Sequence, residues 1–185
     1  MNKNFLFLAN GFEEIEALAT LDILRRAGMD VTTVSINHEY VVTGAHGIPV
    51  TADSTFKETD FSGSDWLILP GGMPGASNLH EFQALNDLLK VHAGKGRIAA
   101  ICASPAVVLA ATGLLNGKKA TCYPGFETAL IAAGADYVTE RVVVADNIVT
   151  SNGPSSAFPF ALEIVRLTKG DTVASEVADG LLCDK

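Results

Sequence analysis

The sequence is poor in cysteine and in basic residues. Three cysteines occur among 185 residues, and they are Cys102, Cys122 and Cys183. This odd, sparse set excludes the disulfide scaffold that is typical of small secreted domains. The formal net charge is −8 and the chain has no run of Lys or Arg. Nucleic acid and anionic membrane surfaces are therefore excluded as partners, because both attract clustered positive charge.

Long apolar runs are also missing. Residues 5–9 form the one apolar run before Glu13, and it is shorter than the roughly 7–15 residues of a signal-peptide core. No stretch approaches the ~20 apolar residues of a membrane span. We therefore expect a cytoplasmic protein. With 48% hydrophobic and 18% charged residues, we also expect one domain, residues 1–185.

Short apolar runs alternate with helical patterns along the chain. Strands are predicted at residues 5–9, 31–36, 66–69, 97–101 and 119–123, with hairpins at 40–42/48–51 and 142–144/148–150. Helices are predicted at residues 15–26, 78–91, 103–109, 127–133, 156–168 and 173–182. Nearly continuous apolar strands that alternate with helices indicate an α/β fold with a mostly parallel sheet and helices on both faces.

Cys102 stands between a predicted strand and a predicted helix. A residue at such a junction is held in a sharp turn, as in a nucleophile elbow. Backbone N–H groups and the positive end of a helix dipole favour the thiolate there. Free cysteine is more often a small apolar core residue, so the position alone leaves both interpretations open.

Three loops follow predicted strands at the carboxyl edge of the sheet, where sites form. The first, residues 10–16, carries Glu13, Glu14 and Glu16 and lacks a G-x-G-x-x-G pattern, which argues against a nucleotide or flavin cofactor. The second contains Gly71 and Gly72. These glycines either bring backbone N–H groups to a ligand, as an oxyanion hole requires, or form a tight turn into a helix.

The three acids of the first loop have different expected roles. Glu13 and Glu14 are interpreted as first-turn acids that the helix dipole favours. Glu16 lies among Ile15, Ala17 and Leu18, so its side chain is expected to point inward. An inward carboxyl near a thiolate would have a raised pKa, would stay protonated and could shuttle protons.

Five motifs together resemble the ThiJ/PfpI superfamily, over almost the whole chain. They are GFEEIE (residues 11–16), DILRRAG (22–28), LPGG (69–72), AAICASP (99–105) and TSNGP (150–154). The resemblance implies a flavodoxin-like three-layer sandwich, a homodimer and no cofactor or metal. It also implies that Cys102 is the nucleophile and Glu16 its partner, with Gly72 and Ala103 as the backbone donors.

Further site residues follow from the same resemblance. It places Tyr123, Gly71 and Asn152 in the substrate pocket. It also places Arg26 and His46 near a dimer interface beside Cys102, although both could equally be solvated surface residues.

Three departures from the superfamily decide between its branches. Ala103 stands where the protease and chaperone branches have histidine. A late His-x-Glu triad is excluded because the four histidines, at positions 38, 46, 80 and 92, all precede Cys102. The closest resemblance is to the branch of the parkinsonism-associated deglycase. That branch often has histidine where this chain has Tyr123, and a phenol is a poor base at neutral pH.

Two hypotheses of function follow from the resemblance. In the first, the Cys102 thiolate attacks the aldehyde of methylglyoxal or of its adducts, and Glu16 shuttles protons to give a 2-hydroxy acid. In the second, Cys102 is oxidised to a sulfinate that protonated Glu16 stabilises. The protein is then a redox sensor or a protein-stabilising protein, and no substrate is turned over. The lack of histidine at position 123 adds weight to the second hypothesis, and turnover of methylglyoxal separates the two.

Overall fold

The computed structural model describes residues 3–183, and strands alternate with helices through most of them. The strands are β1 (Lys3–Leu8), β2 (Val31–Ser35), β3 (Val41–Thr43), β4 (Pro49–Thr51), β5 (Ser54–Thr55), β6 (Ser64–Leu69), β7 (Arg97–Ile101), β8 (Lys119–Ala120), β9 (Asp136–Tyr137), β10 (Val142–Ala145) and β11 (Ile148–Ser151). The α-helices are α1 (Glu14–Arg26), α2 (Gly75–Glu81), α3 (Gln83–His92), α4 (Glu127–Ala132), α5 (Ala157–Lys169) and α6 (Asp171–Gly180). A π-helix spans Pro105–Ala110, and a 3₁₀ turn spans Pro154–Ser156.

Among the described residues, seven strands form the main sheet in the order β10-β11-β7-β6-β1-β2-β5. Its neighbouring strands are parallel except for the antiparallel pair β10 and β11. The strands β3 and β4 form a separate antiparallel hairpin. The predicted mostly parallel sheet and both predicted hairpins are thus confirmed.

The side chains of β1 alternate between the two faces of the sheet, as the pleat of a strand requires. Leu6 and Leu8 belong to a buried cluster that includes residues of α1 and α5. Phe5 and Phe7 belong to a second cluster, which includes residues of α2, α3 and the π-helix. The sheet is therefore covered on both faces, and the predicted three-layer arrangement is confirmed.

Three predicted elements differ from the structure. The helix predicted at residues 78–91 is two helices, because Phe82 is extended (φ −80°, ψ 90°). Its ring packs edge-on against Phe56, with the ring centroids 4.9 Å apart. The strand predicted at 119–123 is two residues long and pairs with β9, which the sequence did not predict. The helix predicted directly after Cys102 is the π-helix, which begins at Pro105.

The strand order positions the site. Strand β1 lies between β2 and β6, so the chain leaves β1 toward one side of the sheet and returns on the other. The loops after β1, β6 and β7 meet at the carboxyl edge of neighbouring strands, where ligands bind in open α/β sheets. Within residues 3–183, no helix is both long and apolar enough to cross a membrane.

Candidate active site

Cys102 occupies a strained turn directly after β7. Its φ is +66°, a left-handed conformation that costs a non-glycine residue about 1–2 kcal/mol. Hydrogen bonds on both sides hold the turn: Cys102 N–H donates to Ser151 O at 2.8 Å, and Tyr123 N–H donates to Cys102 O at 2.8 Å. The Ser104 hydroxyl also donates to Pro70 O at 2.5 Å and ties this loop to the loop after β6.

The Cys102 sulfur receives hydrogen bonds from two backbone groups. The N–H groups of Gly72 and Ala103 interact with it and favour its charged form. Gly72 has a φ of +90°, and a Cβ there would lie 2.4 Å from Glu13 N, so the position requires glycine. The structure thus places both predicted backbone donors at the sulfur.

Glu16 is the acid beside the thiol. It lies in the first turn of α1 with no exposed surface, and its Oε2 accepts the N–H of Gly71 at 2.8 Å. Burial is the main cause that raises the pKa of Glu16, to about 7. The hydrogen bonds of this carboxyl with the Cys102 side chain and the Gly71 N–H favour the charged form, but they do not outweigh burial. The sequence expectation of an inward carboxyl with a raised pKa agrees with this geometry.

The expectation that a helix dipole lowers the pKa of Cys102 needs correction. Burial, followed by the Glu16 carboxylate, raises the pKa of this thiol. Two such groups titrate as a pair, because the charge left by the first proton opposes removal of the second. Above about pH 7 the pair therefore carries one negative charge. Its reactive form is a thiolate that accepts a hydrogen bond from the protonated carboxyl.

A cavity of about 370 Å³ opens over the sulfur. Cys102, Gly72, Ala103, Tyr123 and His46 line it, and all five were named from the sequence. Tyr123 is 44% exposed. The remaining lining residues were not predicted from the sequence to line a pocket, because they come from separate loops; they are Glu13, Ala45, Met73, Phe126 and Pro154.

Besides the buried Glu16, three site residues named from the sequence do not line this cavity. Gly71 is next to Glu16, and its N–H group donates a hydrogen bond to the Glu16 carboxyl instead of facing the cavity. Asn152 accepts a hydrogen bond from the Ser156 hydroxyl at 2.6 Å through Oδ1. Arg26 is the last residue of α1, so it lies about 18 Å along the helix axis from Glu14. It pairs with Asp22 at 2.7 Å. Its position at a dimer interface stays a prediction.

Glu13 and Glu14 do more than complement the helix dipole. Glu13 caps α1, since its Oε2 accepts the N–H of Glu16 at 2.7 Å. Glu14 is buried, and its two oxygens pair with the backbone N–H and with Nδ1 of His46, both at 2.7 Å. Glu13, Glu14 and His46 each bring one potential metal-ligand atom to within 4.8 Å of the others. In the structure these hydrogen bonds occupy both oxygens of Glu14 and Nδ1 of His46.

A comparison with family models gives one match that covers most of the chain. The DJ-1/PfpI family model matches residues 2–167. The chain belongs to this family. The DJ-1/PfpI assignment agrees with the resemblance seen in the five sequence motifs and with the observed fold.

Three curated members of the DJ-1/PfpI family illustrate the range of relatives. The DJ-1 homolog A of Arabidopsis thaliana is 40% identical over 95% of this chain and 45% of that protein, so the chain spans less than half of it. A glutathione-independent glyoxalase of Caenorhabditis elegans is 37% identical over 85% of this chain and 83% of that protein. A deglycase of Pyrococcus horikoshii is 36% identical over 89% of this chain and 98% of that protein.

Solved structures of the family have the same fold. The oxidized DJ-1 of Toxoplasma gondii superposes with a TM-score of 0.93 at 40% identity, and 98% of each chain is covered. At this similarity the arrangement of sheet, helices and carboxyl-edge loops is shared across both chains.

Proposed function

We propose that this protein is a cofactor-independent cysteine enzyme that converts reactive aldehydes of the methylglyoxal type, or their adducts, to 2-hydroxy acids. One observation carries the proposal. The Cys102 sulfur lies in a cavity of about 370 Å³ with two backbone N–H donors and the Glu16 carboxyl beside it. The relatives described as a glyoxalase and a deglycase support the same chemistry.

The first step is attack of the Cys102 thiolate on the aldehyde carbon. The C–S bond forms, the carbonyl π electrons move to oxygen, and the Gly72 and Ala103 N–H groups stabilise the developing negative charge. Protonated Glu16 then gives its proton to the alkoxide oxygen, so the step produces a neutral hemithioacetal and leaves Glu16 as a carboxylate. The low exposure of the sulfur keeps the charge away from bulk water, which strengthens these hydrogen bonds.

The second step moves the aldehyde proton to the neighbouring carbonyl carbon. Glu16 as carboxylate accepts the proton from the hemithioacetal carbon, and the electron pair left behind forms an enediolate with the neighbouring carbonyl. Glu16 then returns the proton to the adjacent carbon while the hydroxyl proton passes to the neighbouring oxygen, which gives the thioester of a 2-hydroxy acid. Water then cleaves the thioester and restores the thiolate. The overall change is an internal oxidation and reduction plus one water, so no external oxidant or reductant is needed. A pKa of about 7 suits Glu16 to both directions of transfer.

Within this proposal the protein acts on small aldehydes or glycated groups in the cytoplasm, as a homodimer. Two large exposed apolar side chains, each near a cavity-lining residue in the sequence, favour a partner surface. Ile15 is 55% exposed and follows Glu14, and Ile48 is 50% exposed and lies close to His46 in the chain. Large exposed apolar side chains are common in protein–protein contacts, where a partner covers them.

The test is formation of a 2-hydroxy acid from methylglyoxal by metal-free protein. We expect activity in the wild type and in the control Cys183→Ala, whose thiol lies outside the cavity, and nearly none in Glu16→Gln. A wild type that forms no product above buffer would contradict the proposal.

A redox role is the second candidate, because the same donors would hold an oxidised sulfur. A sulfinate on Cys102 would accept hydrogen bonds from protonated Glu16 and from the two backbone N–H groups. This candidate predicts that peroxide gives a stable two-oxygen product on Cys102 and that Glu16→Leu loses it. Mass spectrometry of the two proteins decides the point, and identical products in both would exclude Glu16 as the partner.

A further inference from the structure

The β3–β4 hairpin reaches the cavity because hydrogen bonds hold its tip against the loop that precedes α1. Thr43 O accepts the N–H of Gly11 at 2.8 Å, and Ala45 N–H donates to Phe12 O at 2.7 Å. Gly44 makes room for Glu14: a Cβ at this position would lie 2.3 Å from Glu14 Oε1. These contacts hold the backbone of His46 in a defined place at the cavity.

The Glu14–His46 pair determines which hydrogen atoms the imidazole offers. Glu14 Oε2 lies 2.7 Å from His46 Nδ1. Nδ1 therefore carries a hydrogen atom and donates a hydrogen bond to the carboxylate. In the neutral ring the other nitrogen, Nε2, is then without a proton. Nε2 can therefore donate a hydrogen bond to a ligand only when the ring is a cation.

The surroundings of His46 favour that cation. The hydrogen bond to Glu14, followed by the charges of Glu14 and Glu13, raises the pKa of His46. Burial opposes a charge on Glu14, but its hydrogen bonds, led by those with His46, together outweigh burial and lower the pKa of Glu14. The other titratable groups that line the cavity are Cys102 and Tyr123. These surroundings thus shift the His46 ring, which lines the cavity, toward its positively charged form.

The side chains that line the cavity determine which groups of a bound aldehyde, apart from its reacting carbon, can be bound there. Of the side chains that line the cavity, Met73, Phe126 and Pro154 are apolar, and Glu13 is an acid. His46 is the one cationic side chain of that lining within residues 3–183. Glu13 and the charged Cys102–Glu16 pair disfavour an anionic group, so the group that suits His46 is a neutral carbonyl.

We propose that protonated His46, held by Glu14, donates a hydrogen bond from Nε2 to the second carbonyl of a 2-oxoaldehyde bound at Cys102. This role rests on the proposed aldehyde chemistry. It makes His46 a specificity-determining residue that selects 2-oxoaldehydes over aldehydes with one carbonyl. Glu14 is its positioning residue.

The test compares two aldehydes of three carbons, methylglyoxal and propionaldehyde, as reversible protectants of Cys102 against alkylation. Selectivity is the ratio of their protection constants, so the intrinsic reactivity of each aldehyde cancels when variants are compared. We expect the selectivity of His46→Gln to be about tenfold lower than that of the wild type, since a hydrogen bond from a charged donor is lost. His38→Gln, an exposed histidine outside the cavity, should match the wild type.

The pH dependence separates a charged donor from a merely structural side chain. Wild-type selectivity should fall as the pH rises from 6 to 9, because His46 loses its Nε2 proton. His46→Arg should keep its selectivity over this range, because arginine stays charged. In Glu14→Gln the fall should occur at lower pH.

Equal selectivity in the wild type and His46→Gln at every pH would overturn the role of His46 and leave the proposed function standing. If neither aldehyde protects Cys102 in the wild type, the thiol is not an aldehyde nucleophile, and the proposed function itself is contradicted together with this role.

Discussion

At the scale of single residues, the site depends on one proton shared between Glu16 and Cys102. The carboxyl has no exposed surface, and its pKa of about 7 lies far above its usual value near 4.5. The site thus keeps a carboxylic acid beside a sulfur near neutral pH. This arrangement serves both candidate chemistries, because an aldehyde adduct and an oxidised sulfur each need a proton donor next to sulfur.

The raised pKa of Glu16 predicts a pH-dependent loss of stability. The unfolded chain releases this proton near pH 4.5 and the folded chain near pH 7, so the unfolded state binds fewer protons between these values. The free energy of unfolding should therefore fall as the pH rises through this window. We expect the wild type to lose up to about 3 kcal/mol relative to Glu16→Gln between pH 4.5 and 8. Denaturant titrations at three pH values measure the free energy of unfolding of both proteins. The same pH dependence in the wild type and in Glu16→Gln would contradict the prediction.

Tyr123 has a testable role at the same scale. At neutral pH a phenol orients a substrate by hydrogen bonding and is a poor base. Loss of one hydrogen bond costs about 0.5–1.5 kcal/mol, so Tyr123→Phe should keep more than about a tenth of the wild-type kcat/KM for methylglyoxal. Tyr123→His should raise it, since an imidazole titrates near neutrality. A Tyr123→Phe protein as inactive as Cys102→Ala would make the phenol an acid or base and exclude Glu16 as the sole shuttle.

At the scale of elements, the loop after β6 must contain glycine where it passes the site. A Cβ at Gly71 would lie 2.6 Å from Cys102 Cβ and 2.8 Å from Glu16 Oε2. Gly71→Ala should displace both groups, abolish methylglyoxal turnover and cost about 1–3 kcal/mol of stability. The matched control is Gly94→Ala, because a Cβ there meets nothing within 4 Å. Wild-type alkylation rates at Cys102 in Gly71→Ala would show that this close approach does not matter.

The way the elements pack explains why part of the site could be predicted from the sequence and part could not. Cys102 was identified because an apolar strand pattern ends at it, and Glu16 because apolar neighbours surround it in a helix. The Glu14–His46 pair joins residues 32 positions apart. It exists because the hairpin folds back onto α1, and no local pattern contains that information. The break at Phe82 was missed for a similar reason, since its contact with Phe56 overrides a continuous helical pattern.

At the scale of the whole molecule, the strand pattern was sufficient for the fold. Alternate side chains of β1 enter the two buried clusters, and this period-two pattern is local. The carboxyl-edge position of the site followed from a general rule for parallel sheets, whereas the strand order was not predicted. Assembly is not encoded in such patterns, because a single chain does not show which exposed apolar residues a second copy covers.

The proposed homodimer is the prediction at this scale. Ile15 is 55% exposed and Ile48 is 50% exposed. Sedimentation equilibrium should give twice the chain mass for the wild type, and Ile15→Lys should shift the equilibrium toward monomer. Val91→Lys is the control, because Val91 is 65% exposed on α3. A wild type that sediments as a strict monomer at high concentration would contradict the dimer.

The most direct measurement of the central claim is kcat/KM for methylglyoxal in metal-free wild type and Cys102→Ala. The account predicts that the wild type forms a 2-hydroxy acid. It also predicts that Cys102→Ala stays at the buffer background, because no covalent adduct can form without the sulfur. Equal rates in the two proteins, at background or above it, would contradict the claim that Cys102 is a catalytic nucleophile.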